Sequence, residues 1–360
     1  MRRRDAAVAF VATAGMLWGT ANAATAASTT TAAPATPFGP PQPDAGWCEA
    51  VLVVSDLQRM VRVLDTIAGW QLQSHGNVPA AVLRLWGLPS GVTATEALLG
   101  NAGDRSGFVR LLQFQGAVGA QQQIRSSAMP WDTGGIFSLM TRSRDLDGAF
   151  ARAQALGYSA FNDPVDFDFG GVVLRNVVLR LPDGINIAIY ERRKPLLQGW
   201  DTMRKLSLPF NAMQMVADRD RTRDFYSVLL GYTPLADATF LDPAPGPNNF
   251  ALPQNLATTA ERRFAIMAVA GAETGRVEAM QFAGLTGRDL SKRAHMPNLG
   301  IAALRFPTRR LDAIAQAARD RGHGHAVGTA VATTLAPYGS VRLALLRSPD
   351  GVAIELMQTP

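Results

Sequence analysis

The sequence predicts an α+β fold built from four βαβββ modules, which pair to form two domains with concave, mixed β-sheets. Two observations lead to this prediction: the chain contains internal repeats, and each repeat has the same order of strand and helix patterns. The repeats pair 135–157 with 300–322, 182–184 with 349–351, 56–69 with 218–231, and 110–114 with 278–282. Self-similarity at a nearly constant offset indicates a repeated supersecondary unit.

Each module follows one local pattern. A short β-rich run comes first, then a residue that can begin a helix, then apolar residues at helical spacing, and then glycine. In the first module Asp56 precedes the predicted helix and Gly69 follows it. The predicted apolar face of this helix consists of Leu57, Met60, Val61, Leu64 and Ile67. Three further strands complete the module, and a Pro-Asp-Gly turn introduces the last strand of the second and fourth modules.

The modules are expected to combine in consecutive pairs. One module leaves a face of its sheet bare, so two modules must join to bury apolar area. The first domain is predicted at 47–195, with modules one and two, and the second at 208–360, with modules three and four. Residues 196–207 form the predicted linker. Each domain would then enclose a cup of its own.

The N-terminal region predicts export. Residues 2–4 are all arginine, 6–18 form an apolar stretch, and 21–23 read Ala-Asn-Ala, so 1–23 are typical of a secretory signal peptide. Residues 24–46 are rich in Ala, Thr and Pro and predict a flexible linker. We therefore expect an exported protein, periplasmic or extracellular, with no stable membrane span after cleavage.

Composition excludes several classes of protein. The 360 residues carry a formal net charge of +6, but acidic residues are interspersed among the basic ones, which argues against nucleic-acid binding. The single cysteine excludes an internal disulfide and a cysteine-based zinc site. Since four modules are already fused in one chain, a monomer can be complete, and we expect a monomer or a homodimer. The expected binding partner is a small organic ligand.

Three stretches of sequence carry a family resemblance. They are Val-Val-Ser-Asp-Leu at 53–57, Asp-Phe-Tyr leading to Leu-Gly-Tyr at 224–232, and Ser-Pro-Asp-Gly-Val-Ala-Ile-Glu-Leu at 348–356. In this order, and repeated, they resemble the vicinal oxygen chelate superfamily, which includes glyoxalase I, bleomycin-resistance proteins and extradiol dioxygenases. The resemblance covers about residues 47–360 and implies glyoxalase-like paired modules. It implies far less about chemistry, because one fold hosts many functions.

The resemblance also implies where a metal would bind. Metal-dependent members place a His or Glu on the first strand of a module and a Glu on the last. The matching positions here are Glu49, Arg110, Ser138, Ala188, Asn211, Glu278, Ala303 and Glu355. None is histidine, so we do not expect the standard His-containing site, or any cofactor that depends on it.

Two interpretations of the acidic positions stay open. Glu278, Glu355 and the Asn211 amide would suit Mg, Mn or Ca rather than Zn. Alternatively, Glu355 pairs with Arg305, and in the first half the opposite charges of Glu49 and Arg110 pair with each other.

Period-two alternation predicts the lining of the cups. The second cup is expected to contain Met213, Met215, Met280, Phe282 and Met357, with Asn211 and Arg305 as polar neighbours. The first is expected to contain Glu49 and Arg110. Methionine and aromatic side chains around a polar floor are typical of pockets for small organic molecules. The same methionines would also suit a core that simply fills the space between modules.

Three functions are consistent with these patterns. The first is an exported, metal-independent protein that binds a small apolar or aromatic molecule. The second is a glyoxalase-like lyase or isomerase, or an extradiol-type dioxygenase, that uses Glu278 and Glu355 around an oxygen-preferring metal. The third is a non-catalytic scaffold subunit whose cups are filled by their own side chains. The missing histidines favour the first.

Overall fold

The computed structural model describes residues 41–125, 129–169, 171–323 and 327–360. The predicted signal peptide, 1–23, and most of the predicted linker, 24–46, lie outside the described residues. The rest of the chain forms four successive modules, each with a first strand, a helix and further strands. The α+β class and the modular organisation are confirmed.

The first two modules show the predicted order with small additions. Module 1 contains β1 (Glu49–Val53), α1 (Leu57–Ala68), β2 (Gln71–Asn77), α2 (Ala80–Leu85), β3 (Val92–Gly100) and β4 (Phe108–Gly116). Module 2 contains β5 (Ile136–Ser143), α3 (Leu146–Ala155), β6 (Ser159–Ala160), β7 (Val165–Phe169), β8 (Val172–Arg180) and β9 (Asn186–Lys194). The short helix α2 is extra, and the second strand of module 2 is split in two.

The last two modules repeat this plan. Module 3 contains β10 (Asn211–Met215), α4 (Arg219–Leu230), β11 (Thr233–Phe240), α5 (Gln254–Ala257), β12 (Glu261–Ala268) and β13 (Arg276–Ala283). Module 4 contains β14 (Gly300–Pro307), α6 (Leu311–Ala318), β15 (Val331–Leu335), β16 (Gly339–Arg347) and β17 (Ala353–Gln358). In modules 1 and 3 the connection between the second and third strands carries the extra helix, α2 or α5.

The first helix of modules 1 and 3 begins and ends as the sequence predicts. The carboxylate of Asp56 accepts a hydrogen bond from the Arg59 amide at 2.9 Å, and Asp218 accepts one from the Arg221 amide at 3.0 Å. Gly69 ends α1 with φ 74°, a left-handed conformation that favours glycine.

The buried face of α1 differs in one position from the prediction. Its buried residues are Leu57, Met60, Val63, Leu64, Ile67 and Ala68. Val61 was expected on this face but is only half-buried, whereas Val63 is buried. The helix contacts both α3 and its own sheet, so the covered arc is displaced from the one that spacing alone predicts.

Two mixed sheets join the modules. Sheet I has eight strands in the order β15-β16-β17-β14-β1-β4-β3-β2, and sheet II has nine, with β11-β12-β13-β10-β5-β9-β8-β6 in order and β7 paired to β8. In each sheet the first strands of two modules meet in antiparallel fashion at the centre, β1 with β14 and β10 with β5. Parallel neighbours flank these central pairs, such as β4 beside β1 and β13 beside β10.

The pairing of modules corrects the expected domain division. Sheet I combines modules 1 and 4, and sheet II combines modules 2 and 3. The segments 47–195 and 208–360 therefore do not each enclose a cup. All four modules carry similar apolar patterns, so sequence periodicity cannot select the partner. The choice depends on contacts between residues far apart in the chain, such as Glu49 opposite Arg305.

The helices and the inner faces of both sheets form a shared core. One hydrophobic cluster includes buried residues of all four modules, and α1 packs on α3 as α4 packs on α6. Trp47, just before β1, is fully buried and donates its indole N–H to the Arg276 carbonyl of sheet II at 2.6 Å. The opposite face of each sheet, away from these helices, is concave. We name these faces cup I and cup II.

Candidate functional site

The structure divides the predicted site residues between the two cups. Cup I receives Glu49 from β1, Arg110 from β4, Arg305 from β14, and Glu355 and Met357 from β17. Cup II receives Asn211, Met213 and Met215 from β10, and Glu278, Met280 and Phe282 from β13. The expected grouping of Met357, Arg305 and Glu355 with the residues of β10 and β13 is wrong, because β17 and β14 belong to the other sheet.

At the centre of cup I, Arg305 lies between two carboxylates. Its Nε and Nη2 donate to Glu355 Oε2 at 2.9 and 2.6 Å, and its Nη1 donates to Glu49 Oε1. All three side chains are 0% exposed. The predicted pairing of Glu355 with Arg305 is thus present in the structure.

A second arginine completes this charged cluster. Arg110 donates to Glu49 Oε1 at 2.6 Å and Oε2 at 3.0 Å, and to the Ala336 carbonyl at 2.7 Å. It also forms an ion pair with Glu96 at 2.8 Å. Burial raises the pKa of Glu49, but Arg110 and Arg305 outweigh burial and the net pKa is lowered. Burial raises the pKa of Glu96, which Arg110 only partly offsets.

Two aromatic donors satisfy the remaining oxygens of cup I. The Tyr338 hydroxyl donates to Glu49 Oε2 at 2.8 Å, and the Trp86 indole donates to Glu355 Oε1 at 2.7 Å. The connection that contains α2 and Trp86 covers cup I. This hydrogen bond therefore attaches the cover to Glu355 on the floor of the cup. Sequence reasoning missed Trp86, Tyr338 and Glu96, and no local pattern identifies them because each reaches the cluster from a different connection or strand.

The donor set of cup I does not fit a divalent cation. Every oxygen of Glu49 and Glu355 already accepts a hydrogen bond, and two guanidinium groups would repel a metal ion. A metal would have to displace Arg305 from its carboxylates.

Cup II has a polar floor of different character. Asn211 Nδ2 donates to Glu278 Oε2 at 3.1 Å and also lies 3.1 Å from Met140 Sδ. Glu278 is 7% exposed. Burial raises its pKa to about 7, against the opposing effect of the Asn211 hydrogen bond. Glu278 therefore exchanges its proton near neutral pH.

Two buried polar atoms of this floor have no hydrogen-bond partner among the described residues. They are Asn211 Oδ1 and Ser138 Oγ, on side chains that are 2% and 0% exposed. Ser138 pairs with Met213 across the centre of sheet II, which places it on the cup face. Leaving such a group without a partner costs about 1–3 kcal/mol, so each atom is a candidate contact for a bound molecule.

Apolar side chains form the walls of cup II. Met213, Met215, Met280 and Phe282 belong to one buried cluster, as predicted. The connection 241–260 covers them with Phe250 and Leu252. Asn248 holds this cover in shape by bonding the Phe250 amide at 3.1 Å and the Leu252 amide at 3.0 Å.

A salt bridge fixes the rim of this cover. Arg262 of β12 is 1% exposed. It bonds Asp242 at 3.1 Å and the Ala257 carbonyl at 2.9 Å. The cover of cup II is therefore held at its ends and internally, whereas that of cup I bonds directly to the floor.

Sequence reasoning also missed four polar residues of cup II. Arg142, Arg192 and Arg276 are 2%, 9% and 8% exposed, and Tyr190 belongs to β9. Alternation along β5, β9 and β13 would have placed all four on the cup face. Arginine is not a metal ligand, so the positions expected to bind a metal do not point to these residues.

The donor set of cup II does not fit a standard metal site either. Its four matching positions carry the Glu278 carboxylate, the Asn211 amide, the Ser138 hydroxyl and Ala188, which has no ligand atom in its side chain. Glu355, the second carboxylate of the metal hypothesis, belongs to sheet I. Within the described part of the chain, no three His, Cys, Asp or Glu side chains are grouped to hold a metal ion.

Comparison with known proteins finds matches in fold but not in sequence. No protein-family model and no curated protein matches the chain. Glyoxalase I from Zea mays matches with a TM-score of 0.55 at 17% identity, over 87% of this chain and 92% of that one. A Bacillus subtilis protein solved as a candidate dioxygenase matches with a TM-score of 0.53 at 12% identity, over 89% and 86%. At such identities the matches show a shared fold alone.

No helix in the described residues has the length and apolar character needed to cross a membrane.

Proposed function

We propose that this chain, which has the fold of the vicinal oxygen chelate superfamily, binds a small organic molecule in cup II without a His-containing metal site. The observation that carries the proposal is the floor of cup II, where Asn211 Oδ1 and Ser138 Oγ are buried beside Glu278 with no hydrogen-bond partner in the part of the chain that the structure describes. Polar groups left unsatisfied at a folding cost are typical of functional sites rather than of a finished core.

The walls of cup II suit an apolar or aromatic body. Methionine side chains are unbranched and adapt to irregular shapes, and four of them, Met140, Met213, Met215 and Met280, belong to the buried cluster of cup II. Phe282 and Phe250 add an edge-to-face pair with ring centroids 5.5 Å apart. Entry of a ligand requires the cover 241–260 to move, and the rim contact of Arg262 with Asp242 is where it would loosen.

Cup I has a structural role in this proposal. Its carboxylates are neutralised by Arg110 and Arg305, and its cover is bonded to Glu355 through Trp86. Such a cluster specifies how modules 1 and 4 meet, since Glu49 and Arg305 lie opposite each other on the two central strands.

The proposal includes export. The arginine cluster, apolar stretch and Ala-Asn-Ala site within 1–23 support secretion to the periplasm or beyond. Mass spectrometry of the mature protein recovered from outside the cytoplasm is expected to show a chain that begins near residue 24. A mature chain that retains residues 1–23 would contradict this part.

The scaffold function is a second candidate, favoured by one observation. The cup-facing methionines and phenylalanines of sheet II are themselves buried, as expected if side chains simply fill the cup. A lyase, isomerase or dioxygenase that joins Glu278 and Glu355 around one metal is not proposed, because the two carboxylates lie in different sheets.

Calorimetric titration with two probes, naphthalene-2-carboxylate and 2-naphthamide, separates ligand binding from the scaffold role. We expect at least one probe to bind with one site per chain. Met280→Phe, which overfills cup II, is expected to weaken binding about tenfold or more. Met357→Phe is the matched control in cup I and is expected to leave the affinity unchanged. Absence of binding, or equal loss in both variants, would favour the scaffold.

Elemental analysis that finds one transition metal per chain would overturn the metal-independent proposal.

A further inference from the structure

Resting on the proposed function, we propose that the ligand of cup II carries an uncharged hydrogen-bond donor, an amide N–H or a hydroxyl, and that Asn211 and Ser138 bind this group. The apolar body of the ligand would lie against Met215 and Met280. This names the chemical class of the ligand, which the fold alone does not determine.

Strand register brings the two polar side chains close together. Ser138 of β5 pairs with Met213 of β10, and Asn211 lies two residues before Met213, so both side chains are on the cup face. Diagonal neighbours of this kind on paired antiparallel strands have Cα atoms about 7–8 Å apart. One small polar group placed between Asn211 and Ser138 can therefore bond both.

The Glu278 carboxyl determines which end of the Asn211 amide faces a ligand. Glu278 pairs with Met213 from the side opposite Ser138, and its Oε2 accepts from Asn211 Nδ2 at 3.1 Å. Asn211 Nδ2 also lies 3.1 Å from Met140 Sδ. An ionised carboxylate only accepts hydrogen bonds, so Asn211 must turn its Nδ2 toward Glu278. The amide oxygen Oδ1 is then the atom that Asn211 offers to a ligand, and that atom requires a donor.

The Ser138 hydroxyl complements this acceptor. It can donate as well as accept, and its buried Oγ has no hydrogen-bond partner among the described residues. A hydroxyl or primary amide on the ligand would donate to Asn211 Oδ1 and form a second hydrogen bond with Ser138. A group that only accepts would leave Asn211 Oδ1 buried without a partner. Because Asn211 and Ser138 are themselves uncharged, an uncharged donor suits them best.

The place of these atoms in the fold separates them from other buried amides. Gln214, on the same strand, is 0% exposed, and its Oε1 also lacks a hydrogen-bond partner in the described chain. It lies on the opposite face of β10, however, where its Nε2 donates to the Tyr226 hydroxyl of α4 at 2.7 Å. On the cup face two such atoms lie on neighbouring strands, close to the rung that pairs Met215 with Met280. The polar group and the apolar body of one ligand can therefore bind side by side.

Two pairs of probes test this inference by removing the donor while keeping the shape. Calorimetric titration at pH 8, above the Glu278 pKa of about 7, compares 2-naphthamide with methyl 2-naphthoate, and 2-naphthol with 2-methoxynaphthalene. In at least one pair we expect the donor to bind about tenfold to a hundredfold more tightly than its methylated counterpart. The pair that shows this preference identifies the donor as an amide N–H or a hydroxyl.

Variants of cup II locate the preference. Asn211→Leu removes the acceptor and is expected to reduce the ratio of the two affinities to less than about threefold. Ser138→Ala is expected to reduce this ratio by about threefold to tenfold. Gln214→Met is the matched control: it replaces a buried amide on the other face of the same strand and is expected to leave the ratio unchanged. If Asn211→Leu does not fold, the ratios in the unmodified protein and in Ser138→Ala still test the inference.

The outcomes separate this inference from the proposed function. Equal affinities within both pairs, each lost in Met280→Phe, would overturn the donor assignment and leave cup II as a binding site. A preference that survives both Asn211→Leu and Ser138→Ala would also overturn it. Tighter binding of 2-naphthylmethylammonium than of both uncharged donors would overturn it as well, because the charge of Glu278 would then select the ligand. Failure of all these probes to bind would overturn both proposals.

Discussion

Cup I and cup II are built from equivalent strands, but the buried polar and charged groups of the two cups have different hydrogen-bond partners. In cup I two arginines lie among three carboxylates, and the oxygens of Glu49 and Glu355 all accept hydrogen bonds. In cup II Glu278 accepts a hydrogen bond from Asn211, and the buried atoms Asn211 Oδ1 and Ser138 Oγ have no hydrogen-bond partner among the described residues. A cluster that satisfies itself stabilises a fold, whereas one that does not is suited to a ligand.

The covers of the two cups are also attached in different ways. Trp86 bonds the cover of cup I to the floor carboxylate Glu355, so that cover cannot lift without exposing a buried charge. The cover of cup II is organised by Asn248 and by the Arg262–Asp242 ion pair at its edge. Opening it separates the buried Arg262 from the part-exposed Asp242 at the edge of the cup.

The largest expected effect is the loss of Arg305. Arg305→Met leaves Glu49 and Glu355 buried with less compensation, and we expect the free energy of unfolding to fall by about 3–5 kcal/mol. Urea unfolding followed by circular dichroism measures this change. The triple variant Glu49→Gln, Arg305→Met, Glu355→Gln removes Arg305 together with its two carboxylate partners, leaves Arg110 paired with Glu96, and should recover most of the loss. A single variant as stable as the unmodified protein would show that cup I is not held by its charges.

Glu278 is expected to make stability depend on pH in the opposite way to a salt-bridged carboxylate. Its pKa rises from an ordinary value of 4.5 to about 7 on folding, so the folded state binds more protons between these values. Stability therefore falls as pH rises from about 4.5 to 7, by up to about 3 kcal/mol.

Glu278→Gln is expected to remove this decline. The variant should be more stable than the unmodified protein by about 2–3 kcal/mol at pH 8 and nearly equal to it at pH 4. Thermal or urea unfolding at both pH values provides the measurement. Glu273→Gln, at an exposed position, is the control and should leave the slope unchanged. A Glu278→Gln variant with the original slope would contradict a buried, proton-binding carboxyl in cup II.

Trp86→Phe tests the attachment of the cover in cup I. It keeps an aromatic ring but removes the indole donor to Glu355, and we expect a loss of about 1.5–3 kcal/mol, as for a hydrogen bond to a charged group. Amide hydrogen exchange should become faster across α2, residues 80–85. Unchanged exchange in α2 would mean that apolar packing alone holds this cover.

The smallest expected effect distinguishes an unsatisfied hydroxyl from a satisfied one. Ser138→Ala removes a buried Oγ without a partner among the described residues and should change stability by less than about 1 kcal/mol, in the stabilising direction. Ser207→Ala is the matched comparison: its Oγ accepts from the Arg142 amide at 2.9 Å and donates to the Leu208 carbonyl at 2.7 Å, so about 1 kcal/mol should be lost. Equal losses in the two variants would mean that Ser138 has a partner in solution.

The sequence predicted on which face of its strand each site residue lies. It did not predict which of these residues share a cup. Alternation correctly placed Met213, Met280 and Phe282 on one cup face, because side chains on a strand alternate whatever its neighbours are. It could not show that Met357 and Glu355 belong to the other cup. It also gave no signal for Trp86 and Tyr338, whose contacts with Glu355 and Glu49 span 269 and 289 residues.

The amino-acid sequence by itself determined the module: where helices begin, where glycine ends them, and which side chains face the cup. These features depend on interactions within a few residues, so local patterns specify them. Only the tertiary structure decided which modules pair, and therefore which charges meet. Four similar apolar surfaces compete for the same partners, and the selection rests on contacts such as Glu49 with Arg305, formed only when distant segments of the chain come together.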